Sequence, residues 1–247
     1  MRTLENRKSK IENIPALPPG GLGLRQSHGA NRKSLAFTLI ELLVVIAVIG
    51  ILAAFIFPSL KGIKRTQYLR TAAGELEQIQ AALDNYKAKY GFYPPGNPYN
   101  FLVSPLYYEL AGVTNGGGAF VTLDGVSSMS AASVNQAYGV DGFVNCTRGS
   151  GEDAVLARNF LPDLKPNRIF YPVTNNTVPT TVLITSVRGP DAGYRPLGAT
   201  DVNPFRYRYP GVQNPNSYDL WVQLVISGKT NLISNWSRQV QINSPLP

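Results

Sequence analysis

Residues 37–57 read FTLIELLVVIAVIGILAAFIF, 21 residues in which Thr38 and Glu41 are the plainly polar side chains. At about 1.5 Å per residue a helix of this length spans roughly 31 Å, the hydrocarbon thickness of a bilayer. Apolar character all round a helix favours lipid over the core of a soluble protein. A secretory signal peptide also places a basic region before an apolar one, but its apolar part runs about 7–15 residues; this one is longer and holds a glutamate. The stretch, closed by Pro58, therefore predicts one transmembrane helix over residues 37–58. Glu41 is its odd member. A carboxylate within a bilayer helix costs about 2.5–3.5 kcal/mol on insertion scales, so it is normally paired and functional. The plainer alternative is that Glu41, about one turn inside the run, reaches water at the headgroups.

Outward toward the N-terminus, residues 1–36 are polar and basic. Arg2, Arg7, Lys8, Lys10, Arg25, Arg32 and Lys33 outnumber Glu5 and Glu12, so this tail holds most of the chain's net charge of +8. PALPPGGLG (15–23) is Pro/Gly-rich and builds no core. A charged flank beside an apolar run reads as a membrane-adjacent leader rather than as a nucleic-acid surface, and no nucleic-acid partner is expected.

Outward toward the C-terminus, the helix continues in a different style. Leu60, Ile63, Leu69, Ala72, Ala73, Leu76, Ile79, Ala82, Leu83, Tyr86 and Tyr90 fall mostly at spacings of three and four, with Lys, Arg, Glu and Gln between them. The spacing predicts an amphipathic continuation over 59–95, roughly 80 Å of helix from Phe37 to Tyr90. Pro58 would bend it by removing one backbone bond, and Gly91 with Pro94-Pro95 would end it. Residues 96–170 are rich in Gly, Ser, Asn and Tyr and weakly patterned. They read as a variable insert, with short helices around Pro105–Leu110 and Glu152–Phe160. Residues 171–247 form a C-terminal β domain. Strands are predicted at Arg168–Thr174, which begins just inside the insert, and at Thr180–Arg188, Phe205–Tyr209, Tyr218–Ser227 and Arg238–Ile242. Asn203-Pro204, Pro210-Gly211 and Asn214-Pro215 mark turns. The fold class is α+β: one long N-terminal helix packed on a C-terminal antiparallel sheet.

Several function classes drop out on composition. One cysteine, Cys146, and one histidine, His28, leave no internal disulfide, no Cys/His zinc site and no His-dependent triad. An enzyme would have to run on carboxylates, lysines or tyrosines alone, and no constellation of acid, base and nucleophile is visible. No catalytic residue, metal or cofactor is expected.

The basic flank followed by Ser34-Leu35-Ala36 and then Phe37-Thr38-Leu39-Ile40-Glu41-Leu42-Leu43 resembles the cleavage and methylation site of type IV prepilins and pseudopilins. Ala36 departs from the glycine usual before the cut, although it is also small. Gly91-Phe92-Tyr93-Pro94-Pro95, Asn203 to Gly211, Ser217-Tyr218-Asp219-Leu220-Trp221 and Asn235-Trp236 recur in that order in the major pseudopilins of type II secretion systems. The resemblance covers residues 33–95 and 201–236 and implies removal of leader 1–36 at Ala36–Phe37 and N-methylation of Phe37. It implies assembly roles for Glu41, paired with a neighbouring subunit's Phe37 amine, and for Pro58 at the helix kink.

The resemblance also implies a single-pass inner-membrane protein with a periplasmic C-terminal part, extracted into a periplasmic filament. Lys61, Lys64, Arg65 and Arg70 balance Arg25, Arg32 and Lys33, so the charge count alone leaves the orientation open. The implied partners are a prepilin peptidase, an inner-membrane assembly platform, other pseudopilins, copies of the same chain, and the membrane. A surface or competence pilin subunit is the alternative. Ser227–Asn235 corresponds to the loop where major pseudopilins hold calcium. It has no Asp or Glu and contains Lys229, so no calcium site is expected.

Overall fold

A 52-residue helix, α1 (Leu39–Tyr90), opens the computed structural model, which describes residues 37–149, 151–175 and 178–245, with the backbone alone at 55–62, 172 and 174–175. Residues 1–36, including Ala36, lie outside the described residues. The chain divides at Ile51/Leu52 into two units.

In the first unit α1 begins at Leu39, two residues after Phe37, because Thr38 caps it. Every large apolar side chain from Phe37 to Leu52 is exposed, Phe37 at 81% and Leu39 at 82%. Among the described residues no helix is long and apolar enough to cross a membrane; the described side chains of the apolar run end at Ala54.

In the second unit the backbone of α1 stays helical through Pro58. It ends at Tyr90, where Gly91 takes φ +85° and its N–H reaches Lys87 O at 2.7 Å. Only glycine enters that left-handed region cheaply, so Gly91 is a C-terminal stop signal of the expected kind. Ala72, Leu76, Ile79, Ala82, Leu83 and Tyr86 are buried along one stripe, the face that the three/four spacing predicts. Ile63, expected on that face, is exposed.

The stripe joins one core with Tyr207, Leu220, Val222, Leu224 and Ile233. These come from a four-stranded antiparallel sheet in the order β10-β9-β8-β7, with β7 Phe205–Arg208, β8 Asp219–Ile226, β9 Lys229–Ser234 and β10 Gln241–Ile242. Register is set pair by pair: Phe205 faces Val222, and Trp221 faces both Arg206 and Ser234. Side chains alternate across β8, so Trp221 points away from Leu220 and Val222. Its ring is covered by Phe101 and Trp236, with centroids 5.3 and 5.7 Å away. Both faces of this strand are therefore buried.

The expected single sheet is divided. β5 (Ile169–Asn175) and β6 (Val178–Leu183) pair only with each other, linked to β7 through the Ile184–Pro204 bridge. β6 stops at Leu183, five residues short of the expected Arg188.

The insert is more ordered than its composition suggests. α2 (Leu106–Ala111) lies where a short helix was expected, but Glu152–Phe160 is not an α-helix. A 3-10 turn at Gly151–Asp153 precedes a bridge between Val155 and Arg148. β1 (Val113–Gly116), β2 (Ala119–Thr122), β3 (Ser128–Ser130) and β4 (Cys146–Thr147) make a second sheet in the order β3-β2-β1-β4. α3 (Ala131–Tyr138) is bracketed by Ser130, whose hydroxyl accepts from Ser133 N, and by Gly139 at φ 68°.

Candidate functional site

The first turn of α1 carries the sequence-predicted site. Thr38 N and Thr38 Oγ1 both donate to Glu41 Oε2 at 2.8 Å, and Glu41 N donates back to Thr38 Oγ1 at 3.3 Å. This is a reciprocal capping box. A threonine at the cap and a glutamate three residues on satisfy two backbone donors that the helix start would otherwise leave open. Thr38-Leu39-Ile40-Glu41 spells that box in sequence, a signal the membrane reading of Glu41 passes over. Both inbound hydrogen bonds end on Oε2; among the described residues Oε1 receives none. The carboxylate thus positions its own helix terminus with one oxygen.

Of the other predicted site residues, Ala36 lies outside the described residues and Pro58 has only its backbone described. Ser227–Asn235, read as a loop, is mostly the strand β9. Ser227 and Gly228, at φ 52° and 73°, form a two-residue hairpin turn between β8 and β9. Both central residues need positive φ in the type I′ turn that suits hairpin twist. Gly228 suits the second of these positions, since glycine enters positive φ at no steric cost.

Elsewhere the structure gathers the aromatic motifs into one end of the second unit. Tyr93 meets Tyr218 at 4.7 Å and Tyr209 at 5.9 Å, and Tyr207 donates its hydroxyl to Pro94 O at 2.7 Å. Asn235 donates to both the Tyr218 and Leu220 carbonyl groups, at 2.9 Å through its side chain and 3.0 Å through its backbone. Asp219, fully buried, accepts from Val212 N at 2.6 Å and from Gln213 N and Asn214 N at 2.9 Å. Its carboxylate is the staple of the loop after Pro210. Gly211 passes so close that a Cβ there would lie 2.7 Å from Asp219 Oδ1. Among the described residues no three His, Cys, Asp or Glu side chains cluster as metal ligands do.

Two buried acids escaped the sequence reading. Glu75 on α1 accepts from Thr185 Oγ1 and Ser186 N and lies 3.6 Å from Arg168 Nε. Arg168 also bonds Gln78 and the Glu75 carbonyl, and burial pulls its pKa down. These residues border a groove of about 590 Å³ between α1 and the 160–168 loop. Glu109 on α2 accepts from Tyr86 OH at 2.9 Å, Val144 N at 2.9 Å and Asn145 N at 3.0 Å. Burial pushes its pKa up against the opposing pull of these hydrogen bonds. Glu109 and Asn145, which takes the Tyr90 hydroxyl at 2.7 Å, fasten the insert to α1. Neither acid stands in a periodic motif, so only tertiary contact reveals it.

Residues 31–57, which take in this capped helix start at Thr38 and the exposed apolar surface after it, match the prokaryotic N-terminal methylation motif. The particular proteins that the chain resembles are named type II secretion system core protein G. The Vibrio cholerae O1 protein is 40% identical over 63 residues, 26% of this chain and 43% of the relative. The Escherichia coli K12 protein is 38% identical over 68 residues, 28% and 47%. The Pseudomonas aeruginosa PAO1 protein is 40% identical over 63 residues, 26% and 44%. The chain spans less than half the length of each of these relatives. No solved structure matches it.

Proposed function

We propose that the chain is a structural subunit of a type II secretion pseudopilus, made as a prepilin, cut between Ala36 and Phe37 and methylated at Phe37. The observation that carries this reading is the methylation motif at 31–57 on a helix whose large apolar side chains are exposed from Phe37 to Leu52. So much apolar surface needs a cover. In the inner membrane that cover is lipid around a single transmembrane helix, residues 37–58, with the C-terminal part periplasmic. In the filament it is the same helices of neighbouring copies. The relatives named core protein G support the assignment to secretion. A prepilin peptidase and an inner-membrane assembly platform follow as partners, together with other pseudopilins.

The cap geometry supports a division of labour at Glu41. Oε2 caps its own helix through Thr38. Cleavage creates an amine at Phe37, and Oε1 accepts that amine from an adjacent subunit. Pairing the two charges removes the cost of carrying either alone in a low-dielectric bundle. The test is coexpression with a prepilin peptidase followed by intact-mass measurement. The expected product lacks residues 1–36 and carries one methyl group on Phe37. Cleavage near Ala53-Ala54 would instead mark an ordinary signal peptide and refute the reading.

A further inference from the structure

The end of the second unit nearest the apolar run in sequence collects positive charge from two distant parts of the chain. Arg65 Nη2 donates to Asn231 Oδ1 at 2.7 Å, across 166 residues. Asn231 is fully buried and in turn donates to Leu224 O and Lys229 O. This relay seats the β8–β9 hairpin tip, Ser227-Gly228-Lys229, against the turn of α1 that holds Lys64 and Arg65. Lys64 and Lys229 are exposed and Arg65 is half-buried. No Asp or Glu occurs between Glu41 and Glu75, nor after Asp219. Asp219 itself begins β8, about 24 Å along the strand from the tip. The patch is basic and unbalanced.

Its placement names its partner. Arg65 follows Phe57, the last residue of the apolar run, by eight residues, about 12 Å of helix. Side chains on a helix tilt toward its N-terminus, so those of Lys64 and Arg65 lean back toward the bilayer surface. We infer that Lys64, Arg65 and Lys229 form a docking surface for anionic phospholipid headgroups of the leaflet from which α1 emerges. Resting the hairpin tip on those headgroups fixes the second unit against the membrane before the subunit is withdrawn. The inference rests on the membrane-anchored reading above. A long polyanion such as duplex DNA offers similar phosphates, but the apolar run brings lipid to this end of the chain.

The experiment uses the full chain in vesicles of phosphatidylcholine alone or with one third phosphatidylglycerol, read by co-flotation and by amide hydrogen exchange. Each basic side chain at an anionic surface contributes about a fivefold factor. The expected result is co-flotation with both vesicles and exchange at 227–230 slowed at least fivefold by phosphatidylglycerol. The protection should vanish in about 0.5 M salt, where screening shortens to a few ångströms, and in Lys64→Glu/Lys229→Glu, which still floats. Flotation with both vesicles but equal exchange overturns the headgroup proposal and leaves the anchor standing. Failure to float with either overturns the anchor reading and this inference with it. Protection by added duplex DNA but not by phosphatidylglycerol overturns the lipid assignment in favour of a nucleic-acid surface.

Discussion

Replacing Asp219 with alanine removes the acceptor for three backbone N–H groups, those of Val212, Gln213 and Asn214, at 2.6, 2.9 and 2.9 Å. A hydrogen bond to a charged group contributes about 1.5–3 kcal/mol, and an unmet buried donor costs about 1–3 kcal/mol. The carboxylate is fully buried, but the donors sit in a largely exposed loop that water reaches once the carboxylate is gone, so the three contributions do not add in full. A loss of about 4 kcal/mol is expected for Asp219→Ala. For a chain of this size that lowers Tm by about 8–16 °C. Asp219→Asn can keep a carbonyl oxygen for two donors while turning its amide toward the third, and should lose about half as much. The assay is thermal unfolding of the full chain in detergent micelles, followed by near-ultraviolet circular dichroism because Tyr218 and Trp221 adjoin the loop. Millimolar calcium should leave the wild-type midpoint unchanged. A saturable calcium shift that Asp219→Ala abolishes, or a variant as stable as wild type, would refute the staple and make Asp219 a metal ligand or a bystander.

Two further outcomes follow from the other buried acids. Arg168→Ala leaves Glu75 without the cation 3.6 Å away and should cost about 3–5 kcal/mol in urea unfolding, as one-sided breaks of buried pairs do. Burial raises the Glu109 pKa above 4.5, so the folded state holds that proton more tightly than the unfolded chain. Its contribution is present below pH 4.5 and is lost as pH rises through the folded value. Glu109→Gln should abolish that part of the pH dependence, seen as a flatter stability profile above pH 4.5, while costing about 1–3 kcal/mol at acid pH for the mismatched donors at Val144 and Asn145.

The long helix was legible because its periodicity changes visibly, from apolar all round to one stripe, and because Gly91 needs a conformation other residues avoid. β7 and β8 were legible within a residue at each end: β7 alternates aromatic and charged residues between Asn203-Pro204 and Pro210-Gly211, and β8 is an apolar, β-branched run after Asn214-Pro215. β9 was not: Lys229 and Thr230 look like loop chemistry, and the two-residue Ser-Gly turn sits inside what reads as one loop. The strands of the insert were not legible because they run two to four residues, and its helix between Ser130 and Gly139 encloses eight residues with little periodicity. At the site, the charge of Glu41 was conspicuous in an apolar run, but its cap with Thr38 is a local spacing that hydropathy hides.

That cap shapes the decisive measurement. Glu41→Val would destroy both the cap and the proposed intersubunit ion pair, whereas Glu41→Gln keeps an acceptor for Thr38 and removes only the charge. The measurement is the yield of sheared filaments from cells expressing Glu41→Gln with the prepilin peptidase and assembly machinery, alongside the intact mass of the membrane-bound pool. Leaving the neighbour's Phe37 amine unpaired costs about 3–5 kcal/mol, more than a hundredfold in each assembly contact. The account predicts a chain that is inserted, cut after Ala36 and methylated at Phe37, yet absent from filaments. Filaments at wild-type yield from Glu41→Gln would contradict it and reduce Glu41 to a helix cap on a membrane anchor.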